Sequence, residues 1–180
     1  MVTKRKAAFL DRDGVVIRTH VVDGKPYAIR SIDEYEVLPG VQQAIEQLKE
    51  AGFIVVLVTN QPDIDNGLIT QDIVGAIHNK LLDELSIDAI YMCPHNRERG
   101  CECRKPAPGM LFQAKNELGL DLHSSWMVGD RASDIGAGIG AGCSCVFIDC
   151  NYKETIPNQQ KATVQNLPEA IDFIITCEGS

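Results

Sequence analysis

The sequence predicts an α/β fold of three layers, a parallel β-sheet with helices on both faces. Two patterns lead there. Short apolar runs alternate with helix-period segments along the chain. The runs are apolar at nearly every position, as in strands buried on both faces, rather than at every second one. No internal repeat, low-complexity tract or linker interrupts the alternation, so residues 1–180 are expected to form a single domain.

The first strand is AAFLD, residues 7–11, an apolar run that stops at charge. Residues 18 to about 34 are polar with turn formers and are expected to be loop. Leu38-Pro39-Gly40 introduces a helix in which Val41, Ala44, Ile45 and Leu48 recur at helical spacing, and Gly52 ends it. FIVVLVTN, residues 53–60, is the second strand. Thr70 can cap a helix running to about residue 85, with Ile73, Ile77, Leu81 and Leu85 on one side. AIYMC, residues 89–93, is a third strand. Pro108 opens a helix through Leu118 that Gly119 closes. SWMVGD (125–130) and CSCVFID (143–149) are two more strands, separated by a short helix near residues 135–141, and Trp126 reads as core. ATVQNL and the apolar face Ala170, Ile171, Ile174 predict a last short strand and helix.

A net charge of −8 argues against nucleic-acid binding, because phosphate backbones need basic surfaces. It leaves room for a small phosphorylated substrate, which needs only a few placed cations. The start MVTKRKAAFLDRDG has too short an apolar run for a signal peptide, and no stretch approaches the roughly 18 apolar residues of a membrane span. A cytoplasmic protein is expected, with no membrane partner. In that reducing setting the seven cysteines favour metal ligands or buried thiols over a disulfide framework.

Ligands of such sheets bind beyond the carboxyl ends of the strands. The residues expected there are Asp11-Arg12-Asp13-Gly14, Thr59-Asn60-Gln61, Lys105 in the loop after the third strand, and Asp130-Arg131-Ala132-Ser133-Asp134. Singly each has a plain reading: a solvated turn, a cap, or acids at a helix N-terminus. Together, in order at strand ends, they suit phosphoryl transfer, where positioning and charge neutralisation supply most of the catalysis. Asp11 is the candidate nucleophile, forming an aspartyl-phosphate. Mg²⁺ would relieve the repulsion between carboxylate and phosphate, held by Asp11, Asp130 and the backbone carbonyl of Asp13. Asp134 would hold a metal-bound water or Lys105. Thr59 would donate to the phosphoryl group, Lys105 would balance charge, and Asp13 would act as acid and then base.

DRDG, TNQ, the lysine of CRKP and GDRASD resemble the four motifs of the haloacid dehalogenase superfamily of aspartate-nucleophile phosphatases. The likeness runs over nearly the whole chain. It implies a Rossmann-like fold, here without a large cap, since the intervals between motifs leave no room for one. Asp13 stands at the position that marks the superfamily's phosphatases. The motifs add Arg12, Asn60, Gln61 and Arg131 as substrate contacts. FLDRDG, VTNQ, CPH…CxCRKPxPGM and VGDRASDI together look like the branch that holds heptose bisphosphate phosphatases and the histidinol-phosphate phosphatase domain.

That branch bears on residues 93–106, CPHNRERGCECRKP. Cys93, His95, Cys101 and Cys103 have the spacing C-x-H-x5-C-x-C. Three thiolates and an imidazole suit a closed, structural Zn²⁺ site, which the resemblance also implies; unliganded buried thiols are the other reading. Zinc would stiffen the loop and fix Lys105 in the site, with Arg104 beside it to grip substrate. This loop and residues 18–34 would have to shield the site. Cys143, Cys145, Cys150 and Cys177 read as buried thiols, and His20 as an exposed loop residue.

The expected function is Mg²⁺-dependent hydrolysis of a small phosphorylated metabolite by a monomer, with removal of the 7-phosphate of a heptose 1,7-bisphosphate as the first reading. Histidinol phosphate or another sugar phosphate is the alternative substrate. A zinc-stabilised sugar-phosphate-binding module is the non-enzymatic reading, and transfer to another alcohol would use the same aspartyl-phosphate.

Overall fold

The structure, a computed structural model, describes residues 5–179. The first four residues, where the reading against a signal peptide begins, and Ser180 lie outside it. Six parallel strands form one sheet: β1 (Ala7–Leu10), β4 (Ile54–Asn60), β5 (Ala89–Cys93), β6 (Trp126–Gly129), β7 (Ser144–Ile148) and β8 (Ala162–Val164), in the order β5-β4-β1-β6-β7-β8. β2 (His20–Val22) and β3 (Lys25–Tyr27) form a separate antiparallel hairpin. The helices are α1 (Val41–Glu50), α2 (Gln71–Glu84), α3 (Gly109–Leu118), α4 (Ala132–Ala141) and α5 (Leu167–Glu178).

The inner strands are almost wholly apolar because both faces are covered, whereas the edge strand β8 is only partly buried. Side chains alternate across a strand, so each splits its residues between two cores. Ala8, Leu10, Val55, Leu57 and Val128 pack with Val41, Ile45 and Leu48 of α1, Ile77 and Leu81 of α2, and Ile171 and Ile174 of α5. Ala7, Phe9, Val56, Val58 and Met127 pack with Met110, Leu111 and Ala114 of α3 and Ile135 and Ala137 of α4. Each fully buried Leu or Ile contributes about 1.5–3 kcal/mol, so the two cores fix the strand registry firmly.

Thr70 caps α2 by accepting from the Ile73 N–H, and α3 ends at Gly119, as the sequence predicts. On α2, Val74 joins Ile77 and Leu81 in the core while Ile73 is half-buried. α4 starts at Ala132, ahead of the expected 135. Trp126 is buried. Cys143 and Cys145 lie in the core, Cys150 is half-buried, and Cys177 is exposed rather than buried, on the solvent side of the last turn of α5.

The expected loop of residues 18–34 is structured. Asp23 (φ 52°) and Gly24 (φ 80°) turn the chain between Val21-Val22 and Lys25-Pro26. Two successive positive φ angles make the tight turn whose twist matches paired strands, and Asp-Gly is a sequence suited to it.

β1 is where the chain reverses direction through the sheet. From it the order runs outward to β4 and β5, then returns to β6 on the other side. Leu10 stands in register with both Leu57 and Val128. Asp11 follows Leu10 directly, and Thr59 and Asp130 come two residues after its partners Leu57 and Val128, so all three lie at the carboxyl ends of adjacent strands. This is the crevice where open α/β sheets bind ligands.

Candidate active site

Asp11 follows β1, and its N–H donates to Val128 O at 3.0 Å. Its carboxylate is buried, with Oδ1 2.8 Å from Lys105 Nζ. The same ammonium lies 2.6 Å from Asp134 Oδ1 and donates to Val58 O at 2.7 Å. Ligand atoms of Asp11, Asp130 and Asp134 all lie within 4.8 Å of one another. Three buried carboxylates thus share one lysine, which leaves two negative charges uncompensated when all are ionised.

The electrostatics register that excess. Burial, and then the charges of Asp11 and Asp134, push the Asp130 carboxyl well above the usual carboxylate range. Burial also raises Asp11, against the pull of Lys105. Burial works against the Lys105 charge, but Asp11 and Asp134 outweigh it and hold the ammonium above the ordinary lysine value. Asp130 Oδ1 is buried and has no hydrogen-bond partner. Buried acids with an orphaned oxygen fit a hard divalent cation, which takes oxygen ligands. Gly14 makes this packing possible: at φ +88° a Cβ would stand 2.2 Å from Asp130 Oδ2.

Asp13 lies beside this cluster with its side chain turned to other partners. Arg12 Nε and one terminal nitrogen donate to its two carboxylate oxygens at 3.0 and 3.1 Å. Gln61 Nε2 donates to Asp13 Oδ2 and to Thr59 Oγ1, both at 2.9 Å. Arg12, expected to touch substrate, is instead fully buried, its other terminal nitrogen 3.0 Å from His78 Nε2 on α2. Burial and the Arg12 charge lower the His78 pKa to about 4, so its neutral ring accepts that bond. Arg12 and Gln61 therefore orient Asp13 from beneath. Asn60 clamps the lysine loop: its Nδ2 donates to Lys105 O at 3.1 Å and its Oδ1 accepts from Lys105 N at 3.0 Å.

A cleft of about 300 Å³ opens over Asp11 and Asp13. One wall is the hairpin, through Lys25, Pro26 and Tyr27; the other carries Arg104, Arg131 and Ser133. Arg104 donates to His95 O at 3.1 Å. Arg131 is held by Glu154, with contacts of 2.9 and 2.5 Å to its two oxygens. His20 is exposed and pairs with Glu34 at 3.4 Å, away from the cleft lining. The sequence reading missed the hairpin residues, Glu154, and Tyr152, whose hydroxyl donates to Asp130 Oδ2 at 2.8 Å. Asp23-Gly24 could have located the hairpin; no spacing signal links residues 152 and 154 to the site.

Cys93, His95, Cys101 and Cys103 converge at the end of β5. Cys93, Cys101 and Cys103 have Sγ separations of 3.6, 3.4 and 3.1 Å, and His95 Nδ1 lies 3.8 Å from Cys93 Sγ and 3.4 Å from Cys103 Sγ. A tetrahedral ion with bonds of about 2.3 Å sets its ligands about 3.8 Å apart. The donor set and its spacing fit such an ion. Among the described residues no other cysteine belongs to a potential metal cluster.

The model of the haloacid dehalogenase-like hydrolase family matches residues 5–142. The chain belongs to this family. A D-glycero-beta-D-manno-heptose-1,7-bisphosphate 7-phosphatase of Yersinia pestis is 41% identical over 75% of each chain. The Escherichia coli K12 protein of the same name is 33% identical over 92% of this chain and 93% of its own. The crystal structure of a D,D-heptose 1,7-bisphosphate phosphatase from B. bronchiseptica, complexed with magnesium and phosphate, superimposes with a TM-score of 0.81 at 34% identity, covering 95% of this hydrolase and 98% of that chain. Its acids Asp11 and Asp130 lie directly after β1 and β6. No described helix is long and apolar enough to cross a membrane.

Proposed function

We propose that this hydrolase is a magnesium-dependent phosphomonoesterase that acts through an aspartyl-phosphate and removes the 7-phosphate of D-glycero-D-manno-heptose 1,7-bisphosphate. The observation that carries the reaction is the buried Asp11 carboxylate, ion-paired to Lys105 and crowded by Asp130 and Asp134 at the sheet edge. The substrate follows from relatives of 33–41% identity that bear that name.

Asp11 attacks phosphorus in line, forming the acyl phosphate as the P–O bond to the sugar breaks. Asp13 gives the departing alkoxide its proton, then takes one from the water that hydrolyses the intermediate. Lys105 steadies Asp11 and the phosphoryl oxygens, with Thr59 as a further donor. Mg²⁺, when held by Asp11, Asp130 and the Asp13 carbonyl, supplies charge neutralisation between the carboxylates and the phosphate. Zn²⁺ bound by Cys93, His95, Cys101 and Cys103 is structural. Arg104 and Arg131 stand where the rest of the substrate enters, beside Asn60. We read the chain as one domain, monomeric and cytoplasmic.

The short interval between His95 and Cys101 supports histidinol phosphate as the second reading. Phosphate release with Mg²⁺ on heptose 1,7-bisphosphate in both anomers, fructose 1,6-bisphosphate, histidinol phosphate and p-nitrophenyl phosphate decides. The heptose bisphosphate should lead by roughly a hundredfold or more in kcat/KM. Preference for histidinol phosphate overturns the substrate, and no release from any ester overturns the reaction.

A further inference from the structure

We infer that Tyr152 is a positioning residue for the divalent-cation site, an inference that rests on the metal role of Asp130 given above. Tyr152 lies after β7, beyond the residues that the family model matches. Its hydroxyl donates to Asp130 Oδ2 at 2.8 Å and is half-buried behind the site, outside the lining of the substrate cleft.

The two oxygens of Asp130 are thereby made unequal. Oδ2 is tied to the phenol, while Oδ1 is buried with no partner. A carboxylate held by one oxygen keeps its other lone pairs aimed in a fixed direction, and partners of this kind orient ligands for metals. Gly14 shows how closely the pair is fitted, since a Cβ there would meet both Asp130 Oδ2 at 2.2 Å and the Tyr152 hydroxyl at 2.7 Å. The segment carrying Tyr152 is anchored to the same loop a second time, by Glu154 on Arg131. Without the phenol, repulsion from Asp11 and Asp134 would be free to rotate the Asp130 carboxylate out of the ligand cluster.

The test is Tyr152→Phe, which keeps the ring and deletes the donor. Mn²⁺ serves as the probe, its binding to the zinc-loaded protein read from the free-ion EPR signal without substrate. The dissociation constant should rise about tenfold or more. At saturating Mg²⁺ the substrate KM, and by separate assay the zinc content and melting temperature, should stay near wild type. An unchanged Mn²⁺ constant overturns the inference, and so does a rise accompanied by an equal loss of zinc or of folding. Asp130→Asn is measured alongside. If it also leaves Mn²⁺ binding intact, the assignment of Asp130 to the metal is what fails, and the inference falls with it.

Discussion

Asp130→Asn should make the Mg²⁺-free protein more stable than wild type while destroying its response to Mg²⁺. The carboxylate sits among Asp11 and Asp134 with ligand atoms within 4.8 Å, so each like-charge pair is unfavourable by about 3.5 kcal/mol at an effective dielectric near 20. Asp130 faces two such neighbours, and the Lys105 ammonium offsets roughly one, which leaves about 2–4 kcal/mol of net repulsion. The asparagine oxygen can still accept from Tyr152, and its amide can donate toward the remaining acids. For a chain of 180 residues the substitution should therefore raise the melting temperature by roughly 5–15 °C near pH 7.5.

The pH dependence carries the sign. The folded-state pKa of Asp130 is raised above its unfolded value of 3.8. Its contribution to stability is then fully present below 3.8 and is lost as pH rises through the folded-state value. The advantage of the variant should accordingly be largest at neutral pH and shrink as pH falls toward 3.8. Adding Mg²⁺ to about 100 times its dissociation constant should stabilise wild type by about 2.7 kcal/mol and leave the variant where it was. The measurement is thermal unfolding in buffer stripped of Mg²⁺ without chelator, since a chelator would also take a metal from the thiolate cluster. A metal-free variant that melts at or below wild type near neutral pH would sink the argument that these acids are assembled against their own repulsion to hold a cation.

Asp11→Asn should lower kcat by about four orders of magnitude or more while the melting temperature holds or rises; substantial phosphate release by the variant would remove Asp11 as nucleophile. Cys101→Ser should abolish zinc binding and, by loosening the loop that ends at Lys105, most of the activity. Zinc at the wild-type ratio by elemental analysis would refute Cys101 as a ligand.

What the sequence made legible follows from how its signals arise. Strands buried on both faces read as unbroken apolar runs, which located the inner strands and β5, whereas β8 is only half-buried and rested on the short ATV stretch before the last helix. Acids at their ends are equally visible, because nothing in a core explains them. The hairpin was signalled by Asp23-Gly24 between Val22 and Lys25, but its strands are short and exposed, without an apolar run to announce them. Arg12 lies between two site acids in sequence, yet its guanidinium is fully buried between Asp13 and His78, which no spacing signals. Tyr152 and Glu154 left no trace, because their partners are set by how the chain returns after β7 and not by any spacing.

The placement of the thiolate cluster follows from the same geometry. Asp11, Thr59 and Asp130 emerge from neighbouring strands of one sheet, so the two cores that hold the strands also hold these residues. Lys105 has no such support. It arrives on a loop beyond β5, yet must place its ammonium within 2.6–2.8 Å of two carboxylates. A loop residue loses conformational freedom to reach that position, about 1–2 kcal/mol for each backbone residue fixed, and the ion pairs would have to offset it. Two tethers take over that burden. Asn60, itself the last residue of β4, grips both backbone groups of Lys105. A metal held by Cys93, His95, Cys101 and Cys103 would tie the same loop back to the end of β5. With metal in place, the lysine comes as near to being carried by the sheet as a loop residue can.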